Sequence, residues 1–305
     1  MSSLHLYPVP PFRLDLTVWV LRRLPINAMD RWDGQRYQRT LILEDDPIRV
    51  TITQTAPPPT PVLDIALEGP HVSRHDEAAI RAFLEKMLGL TIDLTDFYQR
   101  AAADPRLAAL IGRFHGVKPP RLPSVFEALV NGIACQQLSL TVGITLLNRL
   151  CAAYGLAVDE QHAFPRPDDL CDATVPDLRA LGYSTRKAEN ILGLAQALVQ
   201  GELDLEALNA VDDATAVARL LELPGVGRWT AQYVLLRGLG RLDMFPADDV
   251  GSQAKLQRWL GLESRPDYAG MHQILDRWAP YRGLLYFYLL LDQLTRTGAI
   301  LETQG

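Results

Sequence analysis

The segment from Leu223 to Gly238, LPGVGRWTAQYVLLRG, constrains the fold of this 305-residue chain more than any other. A helical stretch reaches Leu223, and Pro224 ends it because proline cannot continue a helix. Gly225 and Gly227 permit a tight hairpin, after which a second helix begins at about Arg228. The free amides and the positive dipole end of this second helix then point outward, which provides a seat for one phosphate group.

A proline–glycine hairpin is, by itself, also typical of an ordinary turn between two helices. About twenty residues further on, however, Asp248 and Asp249 follow a proline turn and precede another predicted helix. One of these acids would serve as the N-cap of that helix. A carboxylate is also what a reaction that develops positive charge requires. The hairpin and the acidic pair therefore have to be interpreted together.

The chain divides into a β-rich beginning and a helical remainder. Apolar residues alternate with polar or small ones over residues 48–52 and 63–67, which is typical of half-buried strands, and the proline run at 56–59 predicts a loop between them. A helix is predicted over 76–88 and a connecting loop over 115–123. Later helices are predicted over about 124–135, 139–154, 186–199, 213–223, 229–236, 251–260, 268–278 and 281–294.

Composition limits the class of protein. The net charge of −6 argues against a protein that coats nucleic acid, so any DNA binding must use a local surface. The cysteines Cys135, Cys151 and Cys171 form neither a disulfide framework nor a zinc motif, and a reducing cytoplasmic compartment is expected. No apolar run reaches about 18 residues, and the N-terminus has no secretion-signal pattern, so no membrane association is expected.

Taken together, these motifs resemble the helix-hairpin-helix (HhH-GPD) DNA glycosylase superfamily, over most of residues 124–294. The resemblance is greatest to the 3-methyladenine DNA glycosylase II (AlkA) type. It rests on GRWTA at 227–231, the pair Asp248-Asp249, and WAPYR at 278–282. It implies a mainly α fold: an α+β N-terminal domain, placed at 1–104, and a helical HhH-GPD glycosylase region, placed at 105–305. It also implies a monomeric, nucleoid-associated enzyme that acts on double-stranded DNA containing damaged bases.

The resemblance implies the following chemistry. Asp249 is the catalytic carboxylate, whereas Asp248 is structural or capping. Trp229 occupies the position at which bifunctional relatives have a lysine nucleophile, so the expected enzyme is monofunctional and uses water. It would excise alkylated bases such as 3-methyladenine by hydrolysing the N-glycosidic bond, which leaves an abasic site for base excision repair. Trp229 and Tyr233, four residues apart on one helix, are expected to stack on the flipped base; the alternative is that both are core aromatics.

The resemblance also implies three contacts outside the base pocket. Gln137, between two helices, is expected to fill the hole that a flipped base leaves in the duplex; the alternative is a solvent-exposed turn. Phosphate contacts are expected at the hairpin, from Gly225, Val226, Gly227 and Thr230. Backbone carbonyls of Leu221, Leu223 and Val226 match positions that bind a monovalent cation, Na⁺ or K⁺, although no cofactor is required. No cysteine follows Cys171, so an iron–sulfur cluster is excluded.

The sequence departs from the AlkA type at two positions, which leaves the base preference open. Val250 stands where that type has a tyrosine, and Leu290 where it has a pocket tryptophan. Tyr286 or Tyr288 would substitute, and the sequence does not show which of them faces the pocket. The alternatives are the same fold acting on deaminated or oxidised bases, and a non-catalytic DNA-binding protein that uses only the hairpin. A helical scaffold for protein partners does not explain the presence of the glycine-rich hairpin and the wedge turn together.

Overall fold

An antiparallel five-stranded sheet forms most of the N-terminal region of the computed structural model, which describes residues 2–43, 45–57, 59–69 and 76–300. The strand order is β1-β5-β4-β3-β2. The strands are β1 (Ser2–Leu6), β2 (Arg31–Trp32), β3 (Arg36–Leu43), β4 (Asp46–Ala56) and β5 (Val62–Glu68). The alternating apolar residues of β4 and β5 all point into the core, which confirms both predicted strands. The predicted loop at 56–59 lies partly outside the described residues.

Three helices accompany the sheet: α1 (Leu14–Arg22), α2 (Asp76–Leu88) and α3 (Thr95–Ala102). The sequence predicted only α2. The residues of α1 alternate in a strand-like way because this helix is buried on two sides. Leu14 and Val18 pack against the sheet, whereas Leu16 and Val20 pack against the helices that end the chain. A helix that is apolar on opposite faces loses the single stripe by which helices are recognised.

The rest of the chain is helical apart from two short paired strands, β6 (Ala157–Val158) and β7 (Gln161–His162). The helices are α4 (Pro105–Arg113), α5 (Val125–Cys135), α6 (Leu140–Tyr154), α7 (Val175–Ala180), α8 (Thr185–Val199), α9 (Asp213–Leu221), α10 (Arg228–Arg237), α11 (Val250–Leu260), α12 (Tyr268–Leu275) and α13 (Arg282–Arg296). The predicted helix over 268–278 is in fact α12 followed by a 3₁₀ turn. The predicted domain boundary falls at Asp104, which caps α4.

Helix α10 lies at the centre of the helical region. Every residue from 230 to 237 is buried, and Leu235 and Leu236 belong to different cores. One core joins α10 to residues of α5, α6, α8 and α9, with α5 and α9 in direct contact, and the other joins it to residues of α4, α11 and α13. The N-terminus of α10 therefore rests on a rigid support. Within the described part of the chain, none of the helices has the length and apolar character that crossing a bilayer needs.

Candidate active site and nucleic-acid interface

The hairpin between α9 and α10 contains two glycines, and the folded chain requires glycine at only one of the two positions. Gly225 has a φ of +78°, and a Cβ there would lie 2.0 Å from the side-chain amide of Asn190, so the fold requires glycine. Gly227 is the N-cap of α10 and has an ordinary φ of −99°. A Cβ on Gly227 would meet no atom of the described residues within 4 Å. The folded chain alone therefore does not require glycine at position 227.

The N-terminus of α10 is open toward solvent. No side chain of the described residues caps it, so its first amides are available to an external acceptor. Gln136 braces the hairpin from the side, since its Nε2 donates to the carbonyl of Gly225 and to Oγ1 of Thr230, each at 2.8 Å. Thr230 is itself buried against α5. The hairpin, with its uncapped helix N-terminus, is thus attached to the turn that follows α5.

That turn carries Gln137 in a left-handed conformation with a φ of +55°, which costs a non-glycine residue about 1 kcal/mol or more. The turn is held from below by Lys187, whose Nζ donates to the carbonyls of Ala134 and Gln136 at 2.9 and 2.8 Å. Gln137 is therefore pushed into solvent at the tip. Next to it, Leu138 is 44% exposed, an apolar side chain that the sequence analysis did not single out. Strain of this kind collects at functional positions.

The two adjacent aspartates have different surroundings. Asp249 is the N-cap of α11: Oδ1 accepts from the amide of Gly251 at 3.0 Å and Oδ2 from the hydroxyl of Ser252 at 2.6 Å. Asp248 instead forms an ion pair with Arg228 at the start of α10. Between the two acids, the helix-capping role predicted for Asp248 therefore belongs to Asp249. A carboxylate offers about four acceptor sites, so Asp249 is oriented by two bonds and keeps capacity for a substrate.

Aromatic side chains form one wall of the site. Trp229 and Tyr233 stack with ring centroids 5.6 Å apart and an interplanar angle of 27°. Tyr286 of α13 lines the same space, and its hydroxyl stays protonated because burial and the Asp249 carboxylate both raise its pKa. Tyr288 points the other way and packs on Phe97 in the core. Of the two tyrosines that the sequence left open, Tyr286 is therefore the one at the site.

A single groove of about 1110 Å³ unites these elements. It is lined by predicted site residues from three separate parts of the chain, namely Gln137, Gly225, Val226, Gly227, Trp229, Thr230, Tyr233 and Asp249. Leu221 and Leu223 are not among the residues that line it. Val250 is 60% exposed at the rim and Leu290 is buried in the lining.

The charge of the groove is opposite to that of the chain. Five basic side chains line it, namely Arg23, Arg186, Lys187, Arg228 and Lys255, against the two carboxylates Asp248 and Asp249. Burial lowers the pKa of the Lys255 ammonium, and Asp249 acts on it in the opposite direction. Sequence reasoning gave no role to any of the five basic side chains: Arg228 lies within the GRWTA motif but was not singled out, and the other four lie outside the motifs. The local surface that DNA binding would need is therefore present despite the net charge of −6.

The fold and groove define a class: a helix-hairpin-helix protein with a carboxylate fixed beside an aromatic pocket. The model of the HhH-GPD superfamily of base excision DNA repair proteins matches residues 130–280. A DNA-3-methyladenine glycosylase of Bacillus subtilis is 30% identical over 211 residues, which cover 68% of this chain and 70% of that protein. The DNA-3-methyladenine glycosylase 2 of Escherichia coli is 31% identical over 186 residues, 59% of this chain and 63% of that protein.

The likeness extends to solved structures. A 3-methyladenine DNA-glycosylase from Archaeoglobus fulgidus superposes with a TM-score of 0.81 at 26% identity, covering 99% of this chain and all of that one. The chain belongs to the HhH-GPD superfamily and is a DNA glycosylase of the base excision repair class. The predicted fold class, a mainly α protein with an α+β N-terminal region, is confirmed.

Proposed function

We propose that this protein is a monofunctional glycosylase that flips alkylated bases, such as 3-methyladenine, out of double-stranded DNA and hydrolyses their N-glycosidic bond. One observation carries the proposal: the Asp249 carboxylate and the Trp229–Tyr233 stack line one groove. Groups so placed can hold the sugar and the base of the same nucleotide. The names of the Bacillus subtilis and Escherichia coli relatives support the same substrate class.

DNA binding uses the hairpin and the wedge turn. The open amides of α10 bind a backbone phosphate, and the bare backbone at Gly227 permits close approach. A base inside a duplex is out of reach of the carboxylate, so it must be rotated out of the stack. Gln137, joined by the exposed Leu138, fills the hole that remains; apolar side chains are common wedges. Because Lys187 and Gln136 hold the turn, the wedge does not need to be ordered on binding.

The flipped base stacks on Trp229, and the chemistry is a hydrolysis. The bond between C1′ of the sugar and the base nitrogen breaks, and its electron pair leaves with the base. An alkylated purine already carries positive charge, so it departs as a neutral molecule without a general acid. The Asp249 carboxylate stabilises the positive charge on the sugar and orients a water molecule. As the water oxygen bonds to C1′, the proton that it loses passes to Asp249 and from there to solvent. The products are a free base and an abasic site.

The carbonyls of Leu221, Leu223 and Val226 fit a monovalent cation at the hairpin. Among the described residues, no donor reaches the carbonyls of Leu221 or Val226, which is usual at the end of a helix such as α9. The carbonyl oxygen of Leu223 accepts one hydrogen bond, from the amide of Val226 at 3.1 Å, and keeps its second lone pair for a cation. Na⁺ or K⁺ bound there would add positive charge beneath the phosphate.

The proposal is tested by incubating the protein with duplex DNA treated with a methylating agent and identifying the released bases by chromatography. Release of free methylated purines, with abasic sites in equal number, is the expected result. If the protein releases only uracil, hypoxanthine or oxidised bases from DNA that contains them, its substrates are deaminated or oxidised bases and not alkylated ones. Tight DNA binding without release of any base would indicate a non-catalytic DNA-binding protein.

A further inference from the structure

One lysine of the groove has no partner within the folded chain. Lys255 lies on α11, is partly buried and lines the groove. Among the described residues, no acceptor hydrogen-bonds to its Nζ, and no carboxylate lies within the 4.0 Å of an ion pair. Burial lowers the pKa of this ammonium, so its surroundings disfavour the charge. A charged group kept in a cleft against such a cost indicates a functional role.

The other basic side chains of the groove are either engaged or fully open to solvent. Arg23 is held by two hydrogen bonds to neighbouring side chains, and Lys187 by two to the carbonyls of the wedge turn. Arg228 forms its ion pair with Asp248. Arg186, which also has no partner among the described residues, is exposed. Of the five, Lys255 is therefore the partly buried cation that is left for a group from outside the chain.

Lys255 and Asp249 face the same open space beside Gly251. A Cβ built on Gly251 would lie 3.3 Å from Oδ1 of Asp249 and 3.5 Å from Nζ of Lys255. Gly251 is exposed and has no side chain, so nothing of its own fills this space. The ammonium and the carboxylate are thus close neighbours that do not form an ion pair. A substrate group that reaches Asp249 lies beside Lys255 as well.

The nucleotide that would reach Asp249 has its own negative charges. The proposed action of Asp249 is on C1′ of the flipped nucleotide, and two phosphates are attached to the same sugar through its 3′ and 5′ oxygens. These phosphates are the anionic groups of the substrate nearest to C1′. A lysine ammonium binds phosphate as a compact point charge. An ammonium beside the carboxylate is therefore placed to bind one of the two.

We propose that Lys255 binds a phosphate attached to the sugar of the flipped nucleotide, and thereby holds that sugar against Asp249. This site differs from the phosphate contact proposed at the hairpin, which uses backbone amides of α10 and no charged side chain. The inference rests on the proposed function, since it concerns the nucleotide that enters the same groove.

A bound phosphate also removes an electrostatic conflict. A bare ammonium beside C1′ would repel the positive charge that develops on the sugar, and so would oppose Asp249. The phosphate offsets that charge and keeps Lys255 protonated, because an opposite charge nearby favours the charged form. A protonated amine has no lone pair with which to attack C1′. Lys255 in this role is therefore compatible with a monofunctional enzyme that uses water.

The test uses duplexes in which tetrahydrofuran, a stable abasic analogue, replaces the target nucleotide. The phosphate on its 3′ side, the one on its 5′ side, or a distant one is changed to an uncharged methylphosphonate. Binding of the wild type, Lys255→Met and Arg258→Met is titrated at fixed salt. We expect one of the two flanking changes to weaken wild-type binding about 10-fold, the scale of a charge-assisted hydrogen bond, and to leave Lys255→Met binding unchanged.

Arg258→Met is the matched control, since it removes a positive charge one turn further along α11. Arg258 donates to Gln293 and does not line the groove, so this variant should respond to the methylphosphonate as the wild type does. Lys255→Arg keeps the charge and should keep the dependence on the same phosphate. Lys255→Gln removes the charge with a polar side chain and serves if Lys255→Met does not fold.

Two results would overturn the inference. One is an equal loss of affinity in the wild type and Lys255→Met when either flanking phosphate is neutralised, and the other is no loss in the wild type at all. The salt dependence gives an independent measurement, because the slope of log affinity against log salt should fall by about 1 in Lys255→Met. A wild type that shows the expected phosphate dependence but releases no base from methylated DNA would instead overturn the proposed function.

Discussion

Replacing Asp249 with asparagine removes one charge from the groove and almost nothing else. The asparagine oxygen can accept from the Gly251 amide as Oδ1 does now, so the cap of α11 is kept. The Ser252 hydroxyl, which donates to Asp249, can rotate and accept from the new amide instead. We therefore expect Asp249→Asn to fold and melt like the wild type. Any change in rate then reports on the carboxylate charge.

The magnitude follows from electrostatics. A carboxylate about 4 Å from a unit positive charge contributes about 4 kcal/mol at the effective dielectric constant of about 20 that suits a partly exposed site. The sugar carries most of a positive charge only in the transition state, so most of this stabilisation lowers the barrier. Loss of one such partner costs roughly 100-fold to 1000-fold in rate, or about 3 to 4 kcal/mol. DNA affinity should hold or increase, because a negative charge near the phosphates is gone.

The assay is single-turnover release of a methylated purine, run beside a binding titration at fixed salt. Asp248→Asn is the matched control: it makes the same chemical change one residue away, where the side chain pairs with Arg228. It should retain most of the activity. Release by Asp249→Asn at close to the wild-type rate, or an inactive Asp248→Asn beside an active Asp249→Asn, would refute the assignment.

Three further predictions concern the remaining contacts. Gly227→Asp should melt at the wild-type temperature, since the position is open, but bind all DNA more weakly at matched salt; Gly225→Ala should instead lower the melting temperature. Equal affinity of the Gly227 variant and the wild type would contradict a phosphate contact. Gln137→Ala and Leu138→Ala should slow release from duplex more than from single strands, and an equal effect on both substrates would exclude a wedge. Because Trp229 stands at the lysine position, borohydride should trap no covalent enzyme–DNA adduct, and a trapped adduct would disprove the water mechanism.

Local sequence rules were sufficient for the parts of the site that depend on backbone chemistry. Gly225 requires a left-handed φ, and Pro224 before it cannot continue a helix, so the hairpin was predictable from a few residues, although α9 ends at Leu221, two residues earlier than predicted. Asp249 was predictable as an acid at the start of a helix, although its identity as the cap was not. Asp248 competed for that role, and only the position of Arg228 one helix away decides between them.

Residues placed by long-range packing could not be predicted. Tyr286 and Tyr288 are two apart on α13, so they point about 200° from each other, and nothing in the sequence says which face meets the groove. Arg23 lies 210 positions from Tyr233, to which it donates. Helix α1 brings it there only because that helix is buried on two faces, the same property that concealed α1 as a helix.

The distribution of charge explains how an acidic chain can hold DNA. At a net charge of −6, long-range attraction to DNA is weak, so binding has to be generated by contact rather than by the overall field. The basic residues of the groove line the same space as the hairpin and the wedge turn, so a phosphate bound at the hairpin would share that space with them. Outside the groove, acidic residues outnumber basic ones, whereas inside it basic residues outnumber acidic ones. The proposed orientation, with the DNA backbone at the hairpin and a base at Asp249, is therefore the one in which the duplex meets the basic lining of the groove.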